Sequence, residues 1–463
     1  MSERLRRRGI VTIGLGVALA CAALAPRSPV SGGAAGDDWP TYNRDARRSA
    51  ISPGPLDVPD LEQRWVYSAS TPVRSAWPGP ARRDYYRSPT VDNEDRLDLD
   101  SVFHVAAVGD SVYFGSSGED SLRCLDAQSG STRWIYTTDG PVRFAPHVVD
   151  GRVYFGSDDG CTYCVGADDG GLVWKYRAAP SDYQVPSDGK MISLWPNRSG
   201  VIVRDGIAYC TVGVFPSEGV YVCALDARTG GDDGPGCFRA RYTDMSPQGY
   251  VLASSRHVYF PGGRDRPWVF DRRTGERRGQ VGGGGGTYAL ITAGESIIYG
   301  PGKTSATLEE YRGESRDKLG SFAGARHIVV AGDRAYIGTR GQLLALNHTR
   351  YIELSADIGR VAKQRDKLER GSAQYKQLDG KIAGLQEERQ RCFEWTVECD
   401  YADALILVGE YLVAGGRDAV AAYRASDGVE VWSKQVDGVV KGLAAARGRL
   451  FASTDTWKIY CFR

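Results

Sequence analysis

The sequence predicts an all-β fold, an eight-bladed β-propeller in which the N- and C-terminal strands close the last blade. Three observations support this prediction: an internal repeat, a composition suited to short strands and tight turns, and an unattached strand near the start. The 463 residues include 58 glycines, 25 tyrosines and 10 tryptophans but only 3 methionines. Glycine supplies the backbone conformations of tight turns, and aromatic residues favour strands.

Two anchors mark each copy of the repeat. The first anchor is an aromatic or aliphatic residue in the second predicted strand: Tyr113, Tyr154, Tyr209, Tyr259, Tyr299, Tyr336, Val413 and Phe451. The second anchor is a short triplet in the third predicted strand, such as Cys124-Leu125-Asp126 or Ala224-Leu225-Asp226. Most neighbouring anchors are about 40 residues apart, and four short strands in that length are typical of a propeller blade.

Tryptophans recur at one place in the repeat, four residues after a turn glycine: Trp134, Trp174 and Trp432. A flat ring at a fixed place in each copy can stack between neighbouring sheets, so we expect these rings to pack between blades. The last copy stops at residues 461–463 without such a strand, whereas residues 61–67 form an unattached strand of this type. We expect the two ends to pair, so that the propeller comprises residues 61–463 and has few exposed edges.

One stretch, residues 352–399, interrupts the repeat and is rich in Lys, Arg, Glu and Gln. Four of its apolar residues have the seven-residue spacing of a coiled-coil seam: Val361, Leu368, Tyr375 and Ile382. Gly371-Ser372 or Gly380 could turn it into a helical hairpin. We predict a helical insertion in the propeller, which is either an arm that binds a protein or peptide partner or a solvated spacer.

The first 25 residues have the pattern of an export signal. Arginines precede an apolar run at residues 10–20, and Ala18-Leu19-Ala20 before Cys21 resembles a cleavage site. Cys21 is also a candidate for lipidation, so residues 1–25 are either a signal peptide or a lipoprotein signal. We predict a linker at residues 26–60 and a location in the periplasm or cell envelope, where disulfides can form.

Charge and motifs exclude several function classes. Lys and Arg total 58 against 57 Asp and Glu, so the net charge of +1 gives no reason to expect nucleic acid. Membrane contact is expected only through a lipid anchor. The five histidines lack zinc-ligand spacing, and neither a haem-attachment motif nor a nucleophile elbow occurs. The sequence therefore indicates no metal site and no catalytic residue.

The stretch Ala-Leu-Asp-Ala-Arg-Thr-Gly at residues 224–230 and the glycine-to-tryptophan spacing resemble the tryptophan-docking repeats of the PQQ-like β-propellers. This family includes dehydrogenases that hold pyrroloquinoline quinone and calcium on the propeller axis. It also includes non-catalytic propellers that bind proteins, such as the lipoprotein of the outer-membrane β-barrel assembly machinery. The alcohol dehydrogenases of the family typically have a disulfide between adjacent cysteines, and this sequence has no adjacent pair.

The resemblance therefore implies two alternatives. The favoured one is an exported, non-catalytic scaffold that binds a protein or ligand at the cell envelope, without a cofactor. The other is an alcohol or sugar dehydrogenase that depends on pyrroloquinoline quinone and calcium.

Register places one set of residues at the mouth of the predicted central channel, because the loop entering each innermost strand faces that channel. The set contains Arg143, Arg198, Gln248, Tyr288, Arg326, Asp403 and Lys441. Trp195 could add an apolar wall. Four of these residues are cationic and suit an anionic ligand such as a carboxylate, a phosphate or an acidic peptide. The alternative is that they are ordinary solvated loop charges, some of them paired with Asp403 or other acids.

The cysteines are predicted to be structural. Cys161-x-x-Cys164 lies beside four aspartates and could form a redox dithiol, half a zinc site or a calcium loop. However, side chains three residues apart on a strand point to opposite faces, so the two thiols should not meet. We predict two possible disulfides instead, Cys210–Cys223 across one hairpin and Cys392–Cys399 beside the helical insertion.

Overall fold

The structure, a computed structural model, describes residues 36–463 except 77–98, 188, 264, 302–306, 314 and 316. The predicted signal at residues 1–25, with Cys21, and the start of the predicted linker lie outside the described residues. The described chain consists mainly of short strands, with two α-helices and the 3-10 helices Val58–Asp60 and Pro216–Glu218. This is the propeller-like, mostly β architecture that the repeat predicted.

The strands are grouped along the chain in sets of four. The first two strands are β1 (Ile51–Ser52) and β2 (Gln63–Ser68). The next two sheets are β3 (Ala106–Val108), β4 (Ser111–Ser116), β5 (Ser121–Asp126), β6 (Thr132–Thr137), and β7 (His147–Val149), β8 (Arg152–Gly156), β9 (Cys161–Gly166), β10 (Leu172–Arg177). A two-stranded hairpin follows, formed by β11 (Gln184–Ser187) and β12 (Lys190–Ser193).

Four more sheets have the same four-stranded antiparallel order. Two of them are β13 (Ile202–Arg204), β14 (Ile207–Val212), β15 (Val220–Asp226), β16 (Phe238–Tyr242), and β17 (Leu252–Ala253), β18 (His257–Gly262), β19 (Asp265–Asp271), β20 (Arg277–Gln280). The others are β21 (Tyr288–Ile291), β22 (Ile297–Gly300), β23 (Thr307–Tyr311), β24 (Lys318–Ala323), and β25 (Ala325–Ala331), β26 (Arg334–Thr339), β27 (Gly341–Asn347), β28 (Phe393–Cys399).

The last strands form a seven-stranded sheet together with β1 and β2. Its other members are β29 (Ala404–Val408), β30 (Tyr411–Arg424), β31 (Glu430–Ala446), β32 (Arg449–Thr454) and β33 (Lys458–Phe462). The long strand β31 pairs with β30 in its first half and with β32 in its second. At the sheet's edges, β1 runs parallel to β29, and β2 pairs with β33 so that Trp65 faces Cys461. The two ends of the repeat region are therefore hydrogen-bonded to each other.

Neighbouring sheets are joined by the predicted tryptophans. The Trp134 indole donates to the Ala167 carbonyl of the next sheet (3.0 Å), and the Tyr113 hydroxyl donates to the same oxygen (3.2 Å). The ring of Trp134 also covers Gly170, where an added Cβ would lie 2.7 Å from it. Trp174 repeats this arrangement one sheet later, with a bond to the Ala227 carbonyl (3.0 Å). All eight first anchors are buried, and the Trp134 and Trp174 junctions make the same contact.

The insertion is a helical hairpin, α1 (His348–Arg365) and α2 (Ala373–Gln390), which turns at the predicted Gly371-Ser372. The Ser372 side chain caps α2 by accepting from the Tyr375 amide (3.2 Å). Two details of the prediction are wrong. Leu368 lies in the turn, so the seven-residue seam does not continue along one helix. The predicted bounds of the insertion, residues 352 and 399, are also wrong, because α1 begins at His348 and because Phe393–Cys399 is β28, which pairs with β27.

Candidate functional site: the central channel

The first strands of several sheets are bridged by residues 36–53, which we call the N-terminal segment. Its main chain bonds to five first strands, through Ala107, Val148, Ala253, Ile291 and Leu407, at distances of 2.7–2.9 Å. Trp39, Thr41 and Ala50 of the segment are fully buried. The prediction of a linker over residues 26–60 is therefore wrong for this part of the chain, because its main chain completes the hydrogen bonding of the inner strands.

A buried arginine fixes this segment in place. Arg48 is 1% exposed, and its guanidinium donates to the carbonyl oxygens of Tyr42 (2.8 Å) and Val251 (2.9 Å) and to the Thr41 hydroxyl (2.9 Å). Burial lowers its pKa to about 10, against the opposing effect of nearby groups such as Tyr250. The cation is therefore held by carbonyl dipoles and by the rings of Tyr42 and Tyr250, which lie within 5.9 Å of its Cζ.

Aromatic rings pack beneath this arginine. Tyr42 stacks on Tyr250 with ring centroids 3.8 Å apart, and Phe144 meets Tyr250 edge-on at 4.8 Å. His104 meets Tyr42 edge-on at 4.9 Å. The Tyr250 hydroxyl accepts from the Ala145 amide (2.9 Å), which satisfies its buried oxygen. These contacts join the N-terminal segment to loops from three separate repeats.

The predicted channel-mouth arginines meet at one aspartate. Arg143 Nε lies 2.6 Å from Asp158 Oδ2, and Arg198 Nε lies 2.7 Å from Asp158 Oδ1. Arg143 also contacts Asp100 (2.7 Å) and the main-chain carbonyl of Arg74. Asp158 is fully buried, and both arginines are 5% exposed. Two guanidinium groups and two carboxyl groups thus form one buried network.

The charges in this network largely compensate one another. Burial works against ionisation of Asp158, but Arg143 and Arg198 outweigh it and lower the pKa of this carboxyl. At Asp100 burial prevails over Arg143 and raises the pKa. Burial likewise disfavours the Arg143 cation, yet the two carboxylates raise its pKa. These arginines are therefore paired with acids, as the alternative allows, but they are buried and not solvated.

The other predicted mouth residues do not join this network. Arg326 pairs with Asp403 at 2.7 Å, and Lys441 Nζ lies 3.5 Å from Ser101 Oγ. Tyr288 donates its hydroxyl hydrogen to the Ile328 carbonyl (2.6 Å).

The amide of Gln248 donates to the Pro261 carbonyl (2.8 Å), so its backbone is part of a sheet-edge contact. Trp195 is 8% exposed, donates to the Glu218 carbonyl (3.0 Å) and packs in the core beside the third four-stranded sheet. Trp195 is therefore a core residue, and the prediction that it adds an apolar wall at the channel mouth is wrong.

Sequence reasoning missed Asp158, Asp100 and the N-terminal segment. Asp158 lies in the β8–β9 turn, where an aspartate is common, so its place in the repeat does not mark it as a functional residue. Topology offered a signal, because the turn after a second strand lies at the same end of the sheet as the loop entering the first strand. Two buried arginines at that end require nearby acids.

A small cavity remains between the N-terminal segment and the inner strands. Its volume is about 10 Å³, and Tyr42, Asn43, His104, His327 and Lys441 are among its lining residues. Sites for drug-sized ligands usually occupy about 300–1,000 Å³. Burial and the neighbouring Arg326 lower the pKa of His327 to about 4, so its imidazole is neutral at pH 7.

The Cys161 and Cys164 thiols are unreactive because they are buried. Cys161 and Cys164 are fully buried in different core clusters, as expected for opposite faces of β9, and burial raises their pKa to about 12 and about 11. These shifts disfavour the thiolate.

The two predicted disulfides have different outcomes. Cys210 and Cys223 are free thiols that face each other directly across β14 and β15, so the register assumed for that bridge is present. The Cys392–Cys399 bridge is wrong. Cys392 directly precedes the extended strand β28 and Cys399 ends it, so the two are about 20 Å apart, whereas a disulfide needs Cα atoms within about 7 Å.

Known proteins share this architecture. Residues 87–233 match the family model PQQ_2, described as outer membrane protein assembly factor BamB. The predicted resemblance to the PQQ-like repeat proteins is confirmed. No curated protein sequence matches the chain. Within the described residues, neither helix has the length and hydrophobicity of a membrane span.

Three solved structures have a fold similar to that of this chain. The quinohemoprotein alcohol dehydrogenase from Comamonas testosteroni is 12% identical, with a TM-score of 0.58 over 92% of this chain and 80% of its own. A europium-containing methanol dehydrogenase is 10% identical, with a TM-score of 0.55 over 90% of this chain and 89% of its own. The computationally designed protein Ika8 is also 10% identical, with a TM-score of 0.53 over 79% and 96%. At such identities the likeness concerns the fold alone.

The described channel residues do not fit pyrroloquinoline quinone. This cofactor carries three carboxylates, but Arg143 and Arg198 are already paired with Asp158 and Asp100. The cavity beside His104 and His327 is also smaller than a typical site for such a ligand. In the part of the chain that the structure describes, no three His, Cys, Asp or Glu side chains are placed to hold a metal ion.

Proposed function

We propose that this protein is an exported, non-catalytic scaffold of the cell envelope, an eight-bladed propeller that binds a protein partner through its outer surface. Eight buried anchors support the blade count, and the pairing of β2 with β33 supports closure of the propeller by its two ends. The domain organisation is then a signal at residues 1–25 and a propeller with the helical hairpin as an insertion.

The observation that carries this proposal is the filled channel. In propeller enzymes with a bound cofactor, the axis supplies the cavity, whereas here the N-terminal segment bonds across five first strands at the axis. At the other end of these strands, the Arg143–Asp158–Arg198 network is buried, and its positive and negative charges largely compensate one another. Function in this protein is therefore expected on its surfaces, where loops and the helical hairpin are exposed.

Export rests on the pattern of residues 1–25 and on the family match, whose description names an outer-membrane assembly factor. Lipidation at Cys21 would anchor the propeller to a membrane, and simple cleavage would release it. Intact mass measurement of the mature protein distinguishes the two, because a lipidated Cys21 adds the mass of its acyl chains.

The test of the scaffold proposal is a quinone titration. The purified protein is dialysed against pyrroloquinoline quinone with calcium, and dye-linked oxidation of alcohols and sugars is then measured. We expect no stoichiometric retention of quinone and no dye reduction above the rate of free quinone. Retention of one quinone per chain together with substrate-dependent dye reduction would overturn the proposal and favour the dehydrogenase.

A further inference from the structure

A groove separates the helical hairpin from the sheet of β21–β24. We call it the hairpin groove; its volume is about 800 Å³. Residues 318–321 of β24 line one side, and Ser355, Gly359, Lys363 and Lys367 line the other. These last four residues are spaced four apart, so they lie on one face of α1 and the turn that follows it.

The start of the helix is fastened to the sheet. His348 Nε2 lies 2.8 Å from the buried carboxylate of Glu310, and the Tyr351 hydroxyl donates to the Ser321 carbonyl (2.8 Å). Ile352 packs so closely on Gly320 that a Cβ there would lie 2.5 Å from its Cδ1. Beyond this attachment, the small residues Ser355 and Gly359 leave an open gap between the helix and the sheet, and this gap is the groove.

The groove is basic. Six cations line it, at Arg312, Lys318, Arg360, Lys363, Lys367 and Arg389, and Asp317 is the single acid among the described lining residues. Lys318 pairs with Glu309, and Arg360 pairs with Asp357. No carboxylate of the described chain forms an ion pair with Lys363 or Lys367. Positive charge is therefore available on the helix side of the groove.

The strand side of the groove is a sheet edge. β24 is the last strand in its sheet and pairs only with β23. The Ser321 carbonyl already accepts from Tyr351, and Ile352 packs on Gly320, so the edge that is open to another chain is the start of β24, at Lys318 and Leu319. An exposed strand edge can pair with an extended segment of another chain, and pockets beside it then select the side chains.

We propose that the hairpin groove binds an extended acidic segment of a partner protein. The segment adds alongside the start of β24, at Lys318 and Leu319, and places its carboxylates against Lys363 and Lys367. An extended peptide fits both sides of the groove, because one offers main-chain hydrogen bonds and the other offers cations. This inference rests on the proposed scaffold function and assigns the chemical class of the partner.

The test uses the full chain and a fluorescein-labelled ten-residue peptide of alternating glutamate and threonine, with anisotropy as the readout. The variant K363E/K367E reverses the charge of the groove. Its matched control, K376E/K381E, makes the same change on the exposed surface of α2, outside the groove. A peptide with lysine in place of glutamate tests charge, and a glutamate–threonine peptide with alternate N-methylated amides tests strand pairing. Circular dichroism verifies that every variant is folded.

We expect saturable binding of the glutamate peptide, weakened at least about tenfold by K363E/K367E and less than about twofold by K376E/K381E. The lysine and N-methylated peptides should bind at least about tenfold more weakly to the unmodified protein. Equal affinity of the two variants, or no saturable binding at low salt, would overturn the inference. Vesicles of phosphatidylglycerol form a further arm: if they bind through Lys363 and Lys367 while the peptide does not, the groove is a membrane contact. The quinone titration is independent of these outcomes, so failure of the groove leaves the scaffold proposal standing.

Discussion

The sheet junctions and the channel centre are two interfaces of one molecule, and they are built in different ways. At a junction, a tryptophan such as Trp134 donates to a carbonyl of the next sheet and covers a turn glycine such as Gly170. At the centre, a non-repeated segment is held by backbone bonds, by Arg48 and by stacked tyrosines. Repetition thus specifies the sheets and their junctions, and a unique segment bonds across five of their first strands.

The difference concerns how polar groups are satisfied. A junction such as that of Trp134 or Trp174 is mostly apolar, with one indole bond to the next sheet. The centre and the channel mouth contain buried charges, which are tolerated only with partners. A change at the mouth should therefore cost more than a comparable change at a junction.

The largest effect is expected for Asp158→Asn at the channel mouth. The substitution leaves Arg143 and Arg198 buried with one carboxyl group fewer, which should lower the free energy of unfolding by about 3–5 kcal/mol. Denaturant unfolding measures it. The control is Asp168→Asn in an exposed turn of the same sheet, expected within about 0.5 kcal/mol of the parent. Equal losses in both variants would show that the buried network contributes no stability.

A smaller effect is expected at a junction, for Gly170→Ala. Gly170 has φ +70°, and an added Cβ would lie 2.7 Å from the Trp134 ring, so strain and collision together should cost about 3 kcal/mol. Gly151 also has φ +70° but nothing within 4 Å of an added Cβ. Gly151→Ala should therefore cost only the conformational strain, about 1 kcal/mol. If thermal unfolding gives the same loss for both, the ring contact is not what holds the sheets together.

The smallest of the three effects concerns pH. His147 accepts from the Val203 amide at Nδ1 (2.8 Å), and burial, with a contribution from Arg48, lowers its pKa to about 3. The folded protein keeps this imidazole neutral, while the unfolded chain takes up a proton below about pH 6.5. Stability should therefore fall as the pH drops from 6.5 towards 3.

The variant His147→Gln keeps an acceptor but does not titrate. Between pH 6.5 and 4.5 it should lose about 2 kcal/mol less unfolding free energy than the parent. Denaturant unfolding at the two pH values provides the comparison, and carboxylates common to both proteins cancel in it. Identical losses in parent and variant would mean that His147 is protonated in the fold.

Much of the sheets and their junctions could be predicted from the sequence, because the pattern recurs. The anchors at Tyr113 and Tyr154 and the rings at Trp134 and Trp174 occupy the places that register assigned to them. The turn of the helical hairpin was also predictable, since Gly371 and Ser372 break the helix and cap the next one.

The centre could not be predicted in the same way. Residues 36–53 carry no hydrophobic period, because they are held mainly by their main chain. Asp158 occurs in a turn where an aspartate is common, and only its three-dimensional neighbours distinguish it. The prediction of a Cys392–Cys399 bridge is wrong for a related reason, because residues 393–399 form a strand that the sequence pattern does not separate from the insertion.

The central claim is that the N-terminal segment is an integral part of the channel, and native-state hydrogen exchange tests it most directly. The amides of Trp39, Arg48 and Ala50 all donate main-chain bonds. We predict that they exchange orders of magnitude more slowly than those of an unstructured chain, with protection similar to that of the inner strands. Exchange of these amides at the rate of an unstructured linker would contradict the account.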